Sequence, residues 1–321
     1  MDKQIFAKNP IKEEGPWDIV IIGSGPSGLT AAIYTTRGAA STLILGGDVW
    51  GGQLMLTSEI DNFPGFPEGI LGPELMTRMK DQAERFGAKF IAVNASGIDV
   101  SKNPFEITAG GITYFAKSII IATGAQTLWL DVPGARELIG RGISSCAPCD
   151  APFFRDKKVA VVGGGDSAME EASVLTKYAS EVTIIHRRNE FKASVAMQEK
   201  VKNNPNIKIM WNTEVVKING ESKLEGISLR NNQTGETSEI PFDGLFVAIG
   251  HKPSSDIFKG IIERDEKGYI EPVNWHCGTS VKGIFVAGDV MDKHFKQAVV
   301  SSGMGCIAGM EALKYLEDNA K

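Results

Sequence analysis

Residues 17–38 read WDIVIIGSGPSGLTAAIYTTRG, an apolar strand pattern that runs into three glycines and then into a helix pattern. Gly23 permits a tight turn, Gly25 lets the backbone approach a pyrophosphate, and Gly28 lets the helix pack closely on the strand. A second apolar run, Thr42–Leu45, follows. Strand, G-x-G-x-x-G turn, helix and returning strand are the context that a dinucleotide-binding βαβ unit requires. The stretch therefore predicts a nucleotide site, and the alternative is a merely structural βαβ turn.

The same order of elements returns about 140 residues later in KKVAVVGGGDSAMEEA, residues 157–172. Val159 to Val162 form the predicted strand, a G-x-G-x-x-A turn follows, and Met169 to Tyr178 are expected to form most of the helix. Val182 to Ile185 form the next predicted strand. Two nucleotide sites in one chain indicate electron transfer between two cofactors.

A basic cluster marks the second site as the NADPH site. His186, Arg187 and Arg188 stand directly after the strand, and Lys192 follows four residues later. An NAD site usually has an acidic residue here for the ribose hydroxyls, whereas guanidinium groups can pair with a 2′-phosphate in a bidentate manner. The cluster therefore predicts NADPH. The alternative is a solvated basic corner.

The nucleotide of the first site is inferred from two further strand patterns. SIIIATGA, residues 118–125, ends in small residues, and SVKGIFVAGDVMD, residues 280–292, places Gly288 and Asp289 at the end of a strand. Each pattern also occurs in ordinary buried strands. Together with the first glycine turn they predict a flavin domain, in which Asp289 meets a ribityl or pyrophosphate group, and FAD is the simplest choice.

These patterns predict an α/β fold with two Rossmann-like, three-layer domains, in which the NADPH-binding domain is inserted in the FAD-binding domain. The candidate linkers are turn-rich stretches near residues 124–127 and 250–255. Cutting there gives a discontinuous FAD-binding domain, residues 1–124 and 254–321. The insert, residues 125–253, is the NADPH-binding domain.

Composition narrows the function classes. The chain has 321 residues, 42% of them hydrophobic, and a net charge of −5, which gives no general attraction for nucleic acid or acidic lipid. Residues 1–17 mix charges with prolines and lack the apolar run of a signal peptide, and no run approaches the roughly 18 residues of a membrane span. We therefore expect a cytoplasmic protein without nucleic-acid or membrane partners.

SSCAPCDAP, residues 144–152, contains two of the four cysteines, Cys146 and Cys149. Zinc would need a second pair or histidines at ligand spacing, which Cys277 and Cys306 do not supply, so no metal site is predicted. A structural disulfide closing so small a loop would be unusual in the cytosol. Redox exchange is the favoured interpretation, and Asp150 beside the pair suits proton delivery, with a turn-capping aspartate as the alternative.

Taken together, these residues resemble the low-molecular-weight thioredoxin reductases, from Trp17 to Leu316. The shared motifs are GSGPSG, GGQL, IDNFPGFP, IIATGA, CAPCD, VVGGGDSAMEEA, IHRR, GLFVAIGHKP, VAGDVMD and KQAVVSSGMGC, in the same order. The resemblance implies a flavoprotein oxidoreductase that uses FAD and NADPH, maintains redox homeostasis and acts on thioredoxin or a thioredoxin-like protein. It also implies a homodimer.

The resemblance assigns the binding residues. The implied FAD set lies in the first glycine turn, two loops and two helix starts: Gly23, Ser24, Gly25, Pro26, Ser27, Gly28, Gly52, Gln53, Asn62, Thr123, Gly124, Gly288, Asp289, Lys296, Gln297 and Ala298. The implied NADPH set lies in the second turn and the basic cluster: Gly163, Gly165, Asp166, Ser167, His186, Arg187, Arg188 and Lys192.

The resemblance also divides the catalytic work. Cys149 would face the flavin, Cys146 would attack the disulfide of the partner, and Asp150 would be the acid–base residue. Electrons would pass from NADPH through FAD to the cysteine pair and then to thioredoxin, with rotation of the inserted domain. Lys192 and Lys296 replace frequent arginines, and Pro148 and Ala151 also depart from the common pattern.

Three other functions also fit these residues. A flavin-dependent dithiol oxidase is disfavoured by Arg187 and Arg188, because such an oxidase usually lacks an NADPH cluster. A reductase of another disulfide carrier, such as a glutaredoxin-like protein, would share the whole electron path. A nucleotide-binding redox sensor without turnover would bind both nucleotides and catalyse nothing.

Overall fold

The structure is a computed structural model that describes residues 15–57 and 59–319. Most of the charged N-terminal stretch on which the signal-peptide prediction rests lies outside these residues.

The described strands are β1 Trp17–Ile22, β2 Thr42–Leu45, β3 Glu59–Ile60, β4 Ile70–Leu71, β5 Lys89–Ile91, β6 Ala95–Asp99, β7 Phe105–Ala109, β8 Ile112–Ile121, β9 Ala125–Thr127, β10 Ile143–Ser144, β11 Lys158–Gly163, β12 Glu181–Ile185, β13 Ile207–Met210, β14 Thr213–Asn219, β15 Gly226–Asn231, β16 Thr237–Ile240, β17 Gly244–Ala248, β18 His251–Pro253 and β19 Ile284–Val286. The described α-helices are α1 Pro26–Arg37, α2 Gly72–Arg85, α3 Ala147–Asp150, α4 Asp166–Leu175, α5 Val195–Lys202 and α6 Ala298–Asp318. Short 3₁₀ helices cover Gly52–Leu56, Ala151–Phe154 and Asp256–Phe258.

The chain forms two compact units. Unit 1 comprises the described parts of Met1–Glu59, Phe63–Gln126 and Lys252–Lys321. Unit 2 comprises Ile60–Asn62 and Thr127–His251. Unit 2 is therefore inserted in the sequence of unit 1.

Unit 1 is organised around β8, the longest strand of its sheet. The strand order is β5-β2-β1-β8-β7-β6, and β19 also pairs with β8. The first half of β8 pairs with β7 in the antiparallel direction, while its second half lies between β1 and β19 as a parallel strand. The carboxyl ends of β1, β8 and β19 consequently meet at one edge of the sheet, where ligands bind in open α/β folds.

Both faces of the unit 1 sheet are buried. Val20 and Ile22 belong to a cluster on one face, whereas Ile19 and Ile21, which alternate with them, are fully buried on the other. Burying one such side chain contributes about 1.5–3 kcal/mol. Helices α1 and α6 pack on this sheet and on each other. Their close crossing requires Gly305, because a Cβ there would lie 2.1 Å from the carbonyl oxygen of Ser27.

Unit 2 has three layers. Its central sheet is fully parallel, in the order β10-β17-β11-β12-β13. Val159 and Val161 face helix α4 through a cluster that includes Met169 and Ala172. Ala160 alternates with them and faces the antiparallel sheet β14-β15-β16. Helices thus cover one face of the central sheet and a three-stranded sheet covers the other.

The sequence located these elements with small errors at their ends. Helix α4 was expected to reach Tyr178, but it ends at Leu175, and the next residues form a turn in which the N–H of Ala179 bonds the carbonyl of Leu175. The carbonyl of Tyr178 instead accepts a hydrogen bond from the N–H of Asp156.

The two connecting segments pair with each other as strands β9 and β18. The N–H of Ser254 donates to the carbonyl of Gly124 at 2.9 Å, and that of Leu128 donates to Gly250 at 3.0 Å. Both stretches had been expected to be turn-rich linkers. Their backbone groups are satisfied by the opposite segment, about 125 residues away in sequence.

In the part of the chain that the structure describes, no helix is long and apolar enough to span a membrane.

Cys277, which directly follows His276, is buried, and burial raises the pKa of its thiol to about 11. Its sulfur lies 3.8 Å from the carbonyl oxygen of Met304.

Candidate active site

The cysteine pair lies on a short turn between β10 and α4. Cys146 and Cys149 form a disulfide with a Cα–Cα distance of 5.3 Å, and both residues are half-buried. Ala147 begins α3, and Pro148 stands in its first turn, where a missing N–H costs no helical hydrogen bond. The N–H of Asp150 donates to the carbonyl of Cys146 at 3.0 Å and closes the turn.

Core packing holds this turn in place. Ala147 and Ala151 are fully buried in the cluster that α4 forms with the central sheet. On the other side of the pair, Ser144 is the last residue of β10 and pairs with Phe246 of β17. The redox disulfide is therefore carried by a rigid strand and by the face of a helix.

Ser144 links the turn to the acid beside it. Its hydroxyl donates to the carboxylate of Asp150 at 2.5 Å and accepts a hydrogen bond from the N–H of Cys146 at 3.0 Å. Burial raises the pKa of Asp150 above its ordinary value, and the hydrogen bond from Ser144 opposes this shift. A carboxyl with this environment can hold a proton closer to neutral pH than an exposed aspartate can.

A second carboxyl, Glu171, reaches the turn from α4. It accepts a hydrogen bond from the N–H of Ala147, between the two cysteines. Burial raises its pKa to about 7, the hydrogen bond from Ala147 lowers it, and the neighbouring charges of Asp150 and Glu170 raise it further. The sequence did not single out Ser144 or Glu171, although Ser144 stands only two residues before Cys146.

The first glycine turn has the shape of a nucleotide cradle. A Cβ on Gly23, with φ of 114°, would lie 2.1 Å from the carbonyl oxygen of Ala122, so the strand ends touch there. A Cβ on Gly25 would meet nothing within 4 Å, which leaves the start of α1 open. Pro26 is the first residue of this helix. The turn therefore offers helix N–H groups and room for an anionic group.

Several of the predicted FAD residues surround this cradle. A Cβ on Gly52 would lie 3.6 Å from the Cα of Gly25, and the hydroxyl of Ser24 bonds Gly46 and Gly51 rather than the open side. A Cβ on Gly288 would lie 2.5 Å from the hydroxyl of Ser27. Gly288 and the following residue thus adjoin the start of α1.

Asp289 and Thr123 supply polar groups at the same edge. The hydroxyl of Ser301 donates to Asp289 at 2.8 Å, and burial raises the pKa of this aspartate. The hydroxyl of Thr123 is buried and has no hydrogen-bond partner among the described residues. Because buried hydroxyls are normally satisfied, this orphaned group fits a bound ligand at the end of β8. The residues present therefore fit FAD.

The remaining predicted FAD residues occupy a loop and two other positions. Lys296 has a left-handed backbone with φ of 47° and donates its N–H to Asp292, and Gln297 and Ala298 begin α6. Gln53 belongs to the 3₁₀ helix after Gly52. Asn62 is exposed in the short segment grouped with unit 2, so its contribution to a flavin site stays a prediction.

The second glycine turn is open in the same way. A Cβ on Gly165 would meet nothing within 4 Å, whereas one on Gly163 would lie 2.4 Å from the carbonyl oxygen of Ala248. Asp166 begins α4, and one of its carboxylate oxygens accepts hydrogen bonds from the N–H and hydroxyl of Ser194. These bonds lower the pKa of Asp166 and hold the loop after β12 against the turn. The exposed Ser167 follows it.

The basic cluster divides into one buried and three exposed residues. The His186 ring is buried against Phe191 and Trp211, and one ring nitrogen lies 2.8 Å from the carbonyl oxygen of Glu190. Arg187, Arg188 and Lys192 are exposed. The N–H of Lys192 donates to the carbonyl of Gly164 at 2.8 Å, so the cluster adjoins the open turn. These residues fit a phosphorylated nucleotide.

Comparison with known proteins gives consistent matches. The model of the pyridine nucleotide-disulphide oxidoreductases matches residues 17–305. Thioredoxin reductase of Streptomyces clavuligerus is 46% identical over 301 residues, which cover 93% of this chain and 94% of that protein. The bifunctional thioredoxin reductase/thioredoxin of Mycobacterium leprae is 43% identical over 313 residues, covering 97% of this chain and 68% of that protein.

A solved structure extends the likeness to the fold. Thioredoxin reductase from Giardia duodenalis superposes with a TM-score of 0.91 at 40% identity, covering 95% of this chain and all of that one. The predicted α/β fold with two Rossmann-like domains is confirmed. The chain belongs to the low-molecular-weight thioredoxin reductases of the pyridine nucleotide-disulphide oxidoreductase family, oxidoreductases that use FAD and NADPH.

Proposed function

We propose that this chain reduces the disulfide of a thioredoxin with electrons from NADPH, through FAD and the Cys146–Cys149 disulfide. The observation that carries the proposal is the disulfide itself, held half-buried beside the half-buried carboxyl of Asp150, whose pKa is raised by burial. Disulfides placed to exchange electrons need access, a proton donor and a fixed geometry.

Unit 1 is the proposed FAD-binding domain. The open start of α1 would receive the pyrophosphate, Asp289 would accept hydrogen bonds from hydroxyl groups, and the orphaned hydroxyl of Thr123 would gain a partner. Unit 2 is the proposed NADPH-binding domain, with Gly165 at the pyrophosphate and with Arg187 and Arg188 at the 2′-phosphate. When bound, NADPH supplies a hydride and FAD converts it to the electrons that a disulfide accepts.

The chain's own residues perform the disulfide chemistry. Two electrons and two protons convert the disulfide to two thiols, and the Asp150 carboxyl donates one proton and takes it back when a thiol ionises. The thiolate of Cys146 then attacks a sulfur of the partner's disulfide, forming a mixed disulfide and releasing one partner thiolate. Cys149 attacks the mixed disulfide, restores the bond to Cys146 and releases the reduced partner.

The covalent connections restrict how unit 2 could move in this cycle. The chain passes from unit 1 to unit 2 between residues 126 and 127, and it returns to unit 1 between residues 251 and 252. Both crossings lie inside the β9–β18 pair. We propose these paired strands as the hinge for the rotation of the inserted domain. Their backbone hydrogen bonds would keep the hinge from unravelling while dihedral angles at Gly124 and Gly250 change, both of which have positive φ.

We further propose a cytoplasmic homodimer. Tyr34 of α1 and Val299 and Met310 of α6 leave 42%, 44% and 56% of their surfaces exposed, an apolar set suited to a second copy. Free Cys277 and Cys306 suit a reducing compartment. Sedimentation of the purified protein tests the dimer directly.

An anaerobic titration tests the function. NADPH should bleach the yellow flavin, and an oxidised thioredoxin should restore the colour. In C149S, bleaching should persist while thioredoxin reduction stops. Undiminished thioredoxin reduction by C149S would refute the proposed route, rapid NADPH oxidation with oxygen alone would indicate the dithiol oxidase, and bleaching without reduction of any disulfide protein would indicate the sensor.

A further inference from the structure

One half-buried carboxyl at the redox disulfide, that of Glu171, has no part in the proposed electron path. Glu171 extends from α4 and accepts the hydrogen bond of the Ala147 N–H. Ala147 is the residue directly after Cys146, and it is fully buried. The N–H of Cys146 is held by Ser144 in the same way. Two successive N–H groups of the turn are thus held by side chains, and one of these holders is a carboxylate.

We propose that Glu171 is a positioning residue for the redox disulfide: its carboxylate fixes the turn through the Ala147 N–H and couples reduction of the disulfide to uptake of a proton. The proposal rests on the proposed function only in taking the disulfide to be redox-active. It assigns to a residue of the nucleotide-binding helix a direct effect on the cysteine pair.

The charge balance around Glu171 supports this coupling. The neighbouring charges that act on it are both negative, Asp150 from the cysteine turn and Glu170 from its own helix. The elements β11 and α5 pack on α4 and carry the basic residues Lys158, Lys200 and Lys202. Among the described residues no cation acts on the pKa of Glu171. A further negative charge at the turn therefore meets no nearby compensating cation among the described residues.

Reduction of the pair creates such a charge. Two electrons and one proton convert the disulfide to one thiol and one thiolate, next to the Ala147 N–H. The thiolate makes the ionised form of Glu171 less favourable, so the carboxylate takes a second proton from solvent. By linkage, proton uptake by Glu171 contributes to stabilising the reduced pair at lower pH, by about tenfold for each unit by which the thiolate raises the pKa of Glu171.

Exchange with dithiothreitol tests the coupling without NADPH or thioredoxin. The dithiol gives up two electrons and two protons and becomes a cyclic disulfide. The cysteine pair takes the two electrons and one proton, and Glu171 takes the other proton. Acid quenching and alkylation of the holoenzyme, followed by mass measurement of the peptide that contains both cysteines, gives the equilibrium constant between about pH 6 and about pH 9.

The decisive variant is Glu171→Gln, since its side-chain oxygen still accepts from Ala147 but cannot take up a proton. In this variant the second proton goes to solvent, so raising the pH should favour the reduced pair more than in the wild type, by about tenfold for each unit by which the thiolate raises the pKa of Glu171. The matched control is Glu170→Gln, on the exposed neighbour, which removes one charge that raises the pKa of Glu171 but leaves its proton uptake. Its equilibrium constant should show the pH dependence of the wild type, displaced to lower pH. Glu171→Ala removes the hydrogen bond as well and should shift the constant at every pH.

Two results would overturn the proposal. One is a pH dependence of Glu171→Gln within about twofold of the wild type. The other is the same steepening of the pH dependence in Glu170→Gln, which would reveal a general charge effect of α4. If the wild type exchanges with dithiothreitol but reduces no thioredoxin, the proposed function fails while the role of Glu171 is still measured.

Discussion

Replacing Gly165 with alanine is expected to weaken NADPH binding with little effect on folding. Gly165 is the residue before α4, its φ of −98° is open to any residue, and a Cβ there meets no atom within 4 Å. The folding cost is therefore only that of alanine at a helix N-cap, about 1 kcal/mol. We expect the melting temperature of G165A to fall by roughly 2–4 °C.

The same methyl group would occupy the space that the NADPH pyrophosphate needs. We expect NADPH affinity to fall roughly tenfold to a hundredfold, about 1.4–2.7 kcal/mol. Flavin content should not change, because FAD is assigned to the other glycine turn. The reciprocal variant G25A should lose flavin. A Cβ on Gly25 also meets nothing within 4 Å, so the methyl group would occupy the space proposed for the FAD pyrophosphate.

Gly163→Ala is the contrasting control. Its Cβ would lie 2.4 Å from the backbone oxygen of Ala248, and strand ends cannot move apart without cost. Overpacking of this kind costs about 3 kcal/mol, so G163A should lower the melting temperature more than G165A does. Calorimetric titration measures NADPH affinity, absorbance measures flavin content, and thermal melting measures stability. NADPH binding by G165A within about twofold of the wild type would refute a pyrophosphate seat at this turn.

Three further changes test individual groups. Burial raises the pKa of Asp150, so its proton is lost as pH rises through that raised value and the rate of thioredoxin reduction should decline. D150N should slow thioredoxin reduction by about a hundredfold to ten-thousandfold and remove this decline of the rate at alkaline pH. Stopped-flow assays at several pH values measure both effects. The folded pKa of Glu171, about 7, exceeds the ordinary 4.5, so its contribution to the free energy of unfolding is present below pH 4.5 and is lost as pH rises through 7. The loss amounts to about 3 kcal/mol of the free energy of unfolding, and denaturant unfolding of E171Q should not show this loss. If the free energy of unfolding of E171Q varied with pH as in the wild type, the burial of this carboxyl would be contradicted. T123V removes a hydroxyl that has no hydrogen-bond partner within residues 15–57 and 59–319, so the apoprotein should keep its melting temperature. Flavin affinity should fall about threefold to tenfold, measured by reconstitution.

The sequence predicted the two glycine turns because their signals are local. Gly23 and Gly163 are required by backbone geometry, and each follows an apolar strand within a few residues. The sequence also identified the cysteine pair, because both members and Asp150 are neighbours. Such features need no knowledge of which distant segments meet.

Other features depend on contacts between distant segments. Glu171 lies 24 residues from Ala147, and only the packing of α4 on the cysteine turn joins them. His186 appears in sequence as a member of a basic cluster, yet its ring packs on Phe191 and Trp211. The pairing of β9 with β18 was likewise invisible, because each segment alone has the composition of a turn.

The burial of Cys277 has a consequence for the fidelity of electron delivery. With a pKa of about 11, fewer than about one in a thousand of its thiols are ionised near neutral pH. A thiol in that state is a poor nucleophile toward an incoming substrate. We therefore expect Cys277 not to form a mixed disulfide with the substrate during turnover, so that exchange takes place only at Cys146 and Cys149.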